Sequence, residues 1–227
     1  MILSIETATS VCSVALHDED GRMVAIAELF QENVHAQKLM PLIEALLQQA
    51  GFGQEELCAV AVSSGPGSYT GLRIGVSTAK GLAYALGIPL IGVDTLDALA
   101  RRAIRFAAPE DLVVPMIDAR RMEVYCKILG GEMEEVLPLA PVIIDEYSFG
   151  TYLSSRKLFF LGDANEKVSE VIKHERAVFI PVMNSAETIG ELAVDRYRKR
   201  QFDDVAYFEP NYLKEFRVLK SKKSLLL

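Results

Sequence analysis

The chain has 227 residues, half of them apolar and 24% charged, with a formal net charge of −7 at pH 7. This composition excludes a disordered chain and predicts a globular protein of one large domain or two smaller lobes. The negative charge argues against nucleic-acid binding by the chain alone, because phosphate contacts need clustered Lys and Arg.

The first half predicts three strands followed by alternating helices and strands. The strand candidates Ile2–Ile5, Val11–Leu16 and Met23–Leu29 are separated by polar turns. Apolar residues at three- and four-residue steps predict a helix over 39–50, and Pro41 marks either its start or a kink. The elements expected next are a strand at Cys58–Ser63, a helix at Tyr69–Leu86, a strand at Pro89–Val93 and a helix at Thr95–Phe106.

The second half repeats this plan. Leu112–Ile117 ends in Asp118 as Ile2–Ile5 ends in Glu6. The further elements expected are strands at Met122–Leu129, Met133–Ile144, Leu158–Leu161 and Ala177–Pro181, and helices at Asp145–Ser155, Asn165–Lys173 and Ala186–Arg200. The sequence therefore predicts an α/β fold of two tandem lobes, 1–107 and 108–227, each a mixed sheet covered by helices. The alternative is chance similarity between two ordinary α/β halves.

Several features bear on compartment and on metal binding. Cys12, Cys58 and Cys126 are far apart and predict reduced core thiols in a cytoplasmic protein. The start MILSIETATS lacks the pattern of a signal peptide, and no uncharged run reaches the ~20 residues that span a bilayer.

The three histidines have no paired spacing, which disfavours a zinc site. The tail carries a basic run that we interpret as a solvated end: Lys214, Arg217, Lys220, Lys222 and Lys223.

The stretch SSGPGSYTGLRIG, residues 63–75, raises the question of a phosphate-binding loop. It matches neither the Walker loop nor the dinucleotide fingerprint, since Leu72-Arg73 stands where Lys-Ser/Thr is needed and Thr70 where a third glycine is needed. The helix that follows carries small residues at four-residue steps: Gly71, Gly75, Ala79 and Ala83. This stripe suits close packing, either within the chain's own core or against another protein.

Four segments together resemble the TsaB (YeaZ) family: ILSIETATSVCSVAL, SSGPGSYTGLRIGVSTAKGLA, IPLIGVDTLDALA and MIDARRMEVY. The resemblance is weaker toward the end, where FEPNYLKEF is similar to the family's closing segment. It implies a fold of the actin-like ATPase type, made of two ribonuclease-H-like lobes. It also implies a non-catalytic, accessory subunit of the machinery that makes threonylcarbamoyladenosine in tRNA, without a cofactor or metal of its own.

The resemblance further implies partners. The chain is expected to pair with the catalytic subunit TsaD, to help recruit the ATPase TsaE, to meet tRNA within the complex, and to form a homodimer when TsaD is absent. The TsaD pattern H-x-x-x-H reads His35 to Leu39 here, so one metal ligand is lost and a peptidase role is unlikely. The residues expected at the interface are Leu39, Ile43, Leu47, Tyr69, Leu72, Arg73, Gly75, Val76, Ala79 and Lys80.

The rival hypothesis is an actin-like phosphotransferase or ATPase that binds nucleotide between its lobes. Glu6 and Asp118, each at a strand end, are its candidate metal ligands, although acids at such positions also cap turns or remain solvated. Phosphate hairpins of these enzymes usually contain glycine, and both turns here, Thr7–Thr9 and Ala119–Arg121, lack it. The sequence therefore favours the accessory subunit.

Overall fold

A computed structural model describes residues 1–213 of the chain. The basic run in the tail and the end of FEPNYLKEF lie outside these residues. The elements follow the predicted order, and the strands are β1 Ile2–Glu6, β2 Val11–His17, β3 Met23–Phe30, β4 Ala59–Ser63, β5 Leu90–Val93, β6 Leu112–Asp118, β7 Glu123–Gly130, β8 Glu135–Ile143, β9 Leu158–Gly162 and β10 Ala177–Ile180. The helices are α1 His35–Ala50, α2 Tyr69–Leu86, α3 Thr95–Ile104, α4 Gly150–Leu153, α5 Asn165–Val171 and α6 Ala186–Arg198.

The two halves form two sheets of the same topology. The first has the order β3-β2-β1-β4-β5 and the second β8-β7-β6-β9-β10. In each sheet the first three strands are antiparallel and the last two run parallel to the first. The predicted duplication and the α/β fold of two mixed sheets are therefore confirmed.

Helices cover both faces of the first sheet. On one face, Leu3, Ile5 and Val62 pack against α1 and α2. On the other face, Ile2 and Ala61 pack against α6. The burial of so many apolar side chains supplies the main stabilising free energy of this lobe, at about 25 cal/mol per Å² of apolar surface.

Two helices connect the lobes. The two sheets fall on either side of residues 107–108, the lobe boundary that we propose, but α6 crosses back and packs on the first sheet. Helix α3 contacts β6, β7 and β9 of the second sheet as well as α6. Lys127 of β7 forms ion pairs with two carboxylates at the start of α3. Its Nζ lies 3.0 Å from Asp94 Oδ1 and 2.6 Å from Asp97 Oδ1. This cluster fixes one lobe against the other.

Two local predictions are settled by backbone geometry. Helix α1 begins at His35, so Pro41 lies inside it rather than at its start. Pro41 is exposed, which lets water reach the carbonyl that its missing N–H leaves unpaired. Gly51 ends this helix with φ of 77°, a left-handed conformation that glycine adopts without a Cβ penalty.

The prediction of a helix over Asp145–Ser155 is wrong in length, since only Gly150–Leu153 is helical. The Asp145 carboxylate accepts hydrogen bonds from the backbone of Tyr147 and the hydroxyl of Ser148, which holds a turn in place of a helical start. Phe149 then has a left-handed φ of 63°. Among residues 1–213, no helix has both the length and the apolar character needed to cross a bilayer.

Candidate functional site

The turn between β1 and β2, residues 7–10, is one of the two turns that the phosphotransferase hypothesis would place against phosphate, and α2 covers it. The Thr7 hydroxyl donates to the carbonyl oxygen of Gly71 at 2.9 Å, and the Ser68 N–H donates to the carbonyl oxygen of Ala8 at 2.6 Å. A Cβ added at Gly71 or Gly75 would overlap Thr7. The absence of a side chain at Gly71 and Gly75 therefore lets this turn approach the backbone of α2.

Two backbone donors of this turn, and the one that follows it, have partners within the chain. The N–H of Ala8 donates to Glu6 Oε1, and the N–H of Val11 donates to Thr9 Oγ1. The N–H of Thr7 points to Ser63 Oγ at 3.5 Å. Because these donors already have partners, they are not presented to a phosphate group, which argues against an anion cradle at this turn.

Glu6 is fully buried beneath the turn. Burial raises the pKa of its carboxyl to about 7, although hydrogen bonds from Ala8 and Ser63 act to lower it. Its Oε2 has no partner among the described residues. A carboxyl with this surrounding is a poor ligand for a metal–phosphate group, because bringing a cation to it would require the α2 contact to open.

Asp118, the corresponding acid of the second lobe, is neutralised by a lysine. Lys167 Nζ lies 2.6 Å from Asp118 Oδ1 and also donates to the carbonyl oxygens of Arg121 and Glu123 at 2.9 Å and 2.8 Å. The N–H of Arg120 donates to the same Oδ1 at 2.6 Å. Asp118 thus holds the turn that follows it, and Glu6 and Asp118 do not form a shared ligand set.

The histidine of the H-x-x-x-H position is also structural. His35 is buried at the start of α1, with Nε2 3.2 Å from the carbonyl oxygen of Val11. Leu39, one turn later, is in the core. Within residues 1–213, no group of three His, Cys, Asp or Glu side chains comes together to hold a metal ion.

The ten residues of the predicted interface lie in different surroundings, and the interface itself stays a prediction. Seven of the ten residues are buried within the chain itself, so the free chain presents little of them to a partner: Leu39, Ile43, Leu47, Leu72, Gly75, Val76 and Ala79. The four-residue stripe predicted a packing surface correctly, but its partners are the core and the Thr7 turn. A stripe of small residues on a helix predicts close packing on that face, but it does not identify the element that packs there.

Two of the remaining three residues contact the segment 203–212. Residues 203–212 form a strap across the first lobe, in which the N–H of Asn211 donates to the carbonyl oxygen of Ser64 at 2.7 Å. Lys80 Nζ donates to the carbonyl oxygens of Ala206 and Phe208, and the rings of Tyr69 and Tyr212 lie 4.9 Å apart. Arg73 is exposed and donates to the Tyr69 hydroxyl at 3.0 Å.

The solvent side of α1 and α2 includes Arg73 of the predicted interface together with further residues outside that predicted set. On α2 it consists of Thr70, Arg73, Ile74, Ser77, Gly81 and Tyr84, and on α1 of Gln37, Pro41, Glu44, Ala45 and Gln48. We call this the α1–α2 surface. Tyr84 is 84% exposed there, and a Cβ on Gly81 would meet nothing within 4 Å. The signal in the sequence was Gly81, a glycine inside a helix that lies off the buried stripe.

Comparisons with known proteins agree with this reading of the fold. The family model for TsaD, tRNA N6-adenosine threonylcarbamoyltransferase, matches residues 29–215. The chain is 33% identical to tRNA threonylcarbamoyladenosine biosynthesis protein TsaB of Escherichia coli over 94% of each chain. It also resembles the solved structure of YeaZ from Pseudomonas aeruginosa, with 30% identity and a TM-score of 0.80 over 93% of this chain and 99% of that one.

A more distant structure supports the fold alone. The activator of 2-hydroxyisocaproyl-CoA dehydratase from Clostridium difficile, solved with bound ADPNP, is 10% identical with a TM-score of 0.51, covering 88% of this chain and 96% of that one. The chain thus has the actin-like ATPase type of fold that its resemblance implied.

Proposed function

The chain belongs to the TsaB family, and we propose that it is a non-catalytic subunit of the complex that makes threonylcarbamoyladenosine in tRNA. On this proposal it pairs with TsaD in the cytoplasm, helps to recruit TsaE, and meets tRNA within the assembled complex. The reaction itself then belongs to TsaD. The names of the relatives support the pathway, and the sealed Thr7 turn with its buried Glu6 supports the lack of independent chemistry.

The docking proposal rests on the exposed position of Gly81 inside helix α2. A glycine inside a helix costs about 1 kcal/mol relative to alanine. Gly71 and Gly75 on the same helix are explained by Thr7, whereas open space surrounds Gly81. A partner helix that approaches the α2 backbone closely at this point would account for it.

The composition of the α1–α2 surface also fits a partner. Around Gly81 lie the small residues Ser77 and Ala85 and the exposed ring of Tyr84. Small residues permit close helix approach, and an exposed aromatic ring supplies apolar area that a partner can cover. This chain matches the TsaD family model, so TsaD is expected to offer a related pair of helices. The same surface can pair with a second copy of this chain when TsaD is absent.

The proposal is tested by mixing purified chain and TsaD and measuring mass by sedimentation velocity. Gly81→Arg places a long side chain at the centre of the α1–α2 surface without touching the core. Ser155→Arg is the matched control, since Ser155 is exposed on the second lobe. We expect wild type and Ser155→Arg to form a heterodimer and Gly81→Arg to remain separate. A heterodimer of undiminished affinity with Gly81→Arg would overturn the docking proposal.

A further inference from the structure

Cationic side chains are concentrated where α3 and α6 end. Residues 101–105 and 196–200 together hold seven Lys and Arg and no Asp or Glu. The other 217 residues hold 17 Lys and Arg against 31 Asp and Glu. One or two cations in the last turn suffice to stabilise a helix dipole. Seven in ten residues of an acidic protein exceed that requirement.

The two helix ends border a groove with a volume of about 520 Å³. Its walls include Arg101 and Arg105 of α3 and Arg198 of α6, and apolar surface comes from Ile104 and Val194. We call it the arginine groove. The groove is predominantly polar, since charged side chains make up most of its lining and apolar surface makes up the smaller part. Such a lining suits a charged ligand better than an apolar one.

The charges of the arginine groove do not cancel. Glu191 is shared by two arginines, with Oε2 3.0 Å from Arg101 Nε and Oε1 3.3 Å from Arg105 Nη2. Arg198 Nε donates to the carbonyl oxygen of Glu19 at 3.1 Å, and within residues 1–213 it forms no ion pair with a carboxylate. Asp195 also lines the groove, so three guanidinium groups face two carboxylates.

We propose that the arginine groove binds the sugar–phosphate backbone of RNA, an inference that rests on the proposed function. Guanidinium groups donate paired hydrogen bonds to phosphate oxygens, and arginine is preferred over lysine for this purpose. The apolar surface at Ile104 and Val194 can lie beneath a ribose or base. The groove adjoins α6, on the face of the first sheet opposite α1 and α2, so RNA and TsaD would occupy different faces of the lobe.

The test uses the complex of this chain with TsaD and a fluorescein-labelled, unmodified tRNA transcript, with binding followed by anisotropy. The variant is Arg198→Glu with Lys199→Glu, both exposed at the end of α6. The matched control is Arg156→Glu with Lys157→Glu, which reverses two exposed charges on the second lobe. We expect the groove variant to lose tenfold or more in affinity at about 0.1 M salt and to reduce the salt slope by roughly two, and the control to change little.

Sedimentation with TsaD is measured on the same samples. Loss of RNA affinity with intact TsaD binding supports the inference. Equal affinities for the groove variant, the control and wild type overturn it, as does displacement of the transcript by micromolar mononucleotide, which would identify a nucleotide site instead. Should wild-type chain fail to bind TsaD, the proposed function fails, and the same variants assayed as lone chains at low salt still decide whether the groove binds RNA.

Discussion

The hydroxyl of Thr7 donates a 2.9 Å hydrogen bond to the carbonyl oxygen of Gly71, and so joins the turn after β1 to the first turn of α2. Both residues are buried. A turn that binds phosphate must present its N–H groups to solvent, whereas this turn is covered by the chain's own helix. The close approach of Thr7 explains Gly71 and Gly75 of GPGSYTGLRIG as a packing device.

The two kinds of glycine on α2 should respond oppositely to alanine. Gly71→Ala forces a methyl group against the carbonyl of Thr7 and should lower the free energy of unfolding by about 1–3 kcal/mol. Gly81→Ala meets open space and should raise it by about 1 kcal/mol through helix propensity. Urea unfolding of both variants measures this. If both variants changed the free energy of unfolding equally, the contact with Thr7 would not be the reason for the glycine at position 71.

Glu6 should make stability depend on pH. Its folded-state pKa, about 7, lies above the ordinary value of 4.5, so the folded chain holds the proton more tightly than the unfolded chain. The stabilisation is complete below about pH 4.5 and is lost as pH rises through 7, a change of about 3 kcal/mol. Glu6→Gln cannot titrate and should lack this dependence. Unfolding curves of wild type and variant that stay parallel between acid and mildly alkaline pH would refute the assignment.

Lys127 should hold the lobes together more strongly than Lys167 holds its turn. The Lys127 side chain is 6% exposed and contacts two carboxylates, of Asp94 and Asp97. Burial alone would lower the pKa of Lys127, but these carboxylates raise it. Lys127→Met should cost about 2–3 kcal/mol, less than a fully buried pair because both Asp side chains are partly exposed. Lys167→Met, at a more exposed pair with Asp118, should cost about 1 kcal/mol in the same thermal or urea assay.

The isolated chain should not bind nucleotide with useful affinity. The N–H groups of Ala8 and Val11 donate within the chain, and Asp118 is paired with Lys167. Calorimetric titration with ATP and magnesium should give no heat of binding at micromolar concentrations. A micromolar dissociation constant would restore the phosphotransferase hypothesis, and Glu6→Gln and Asp118→Asn would then show whether these acids take part.

Local pattern was enough to predict most of the fold. Strands such as β1 and β6 are continuous apolar runs ended by an acid, and α1 and α2 have strong three- and four-residue periodicity. The repeated order of elements then predicted two related sheets. The failure over Asp145–Ser155 has a local cause, since side-chain hydrogen bonds to Asp145 favour a turn where apolar spacing suggested a helix.

The site was harder to predict because its contacts join residues distant in sequence. Which face of α2 is buried depends on Thr7, and the neutralisation of Asp118 depends on Lys167. Neither pair has a spacing that identifies it. The contacts of Tyr69 and Lys80 are likewise made by the strap, residues 203–212, which is distant from them in sequence. Gly81, a helix glycine off the small stripe, and Arg73 of the predicted interface both lie on the outward face.

The central claim is that this chain contributes a docking surface and no chemistry to threonylcarbamoyl transfer. The direct measurement is the rate of transfer to tRNA in a reaction reconstituted with TsaD and TsaE, comparing Glu6→Gln, Asp118→Asn and Gly81→Arg. We predict wild-type rates for the two acid variants and loss of activity for Gly81→Arg, restored in part by raising the concentration of the variant chain. Loss of activity with either acid variant in an assembled complex, together with full activity of Gly81→Arg, would contradict the account.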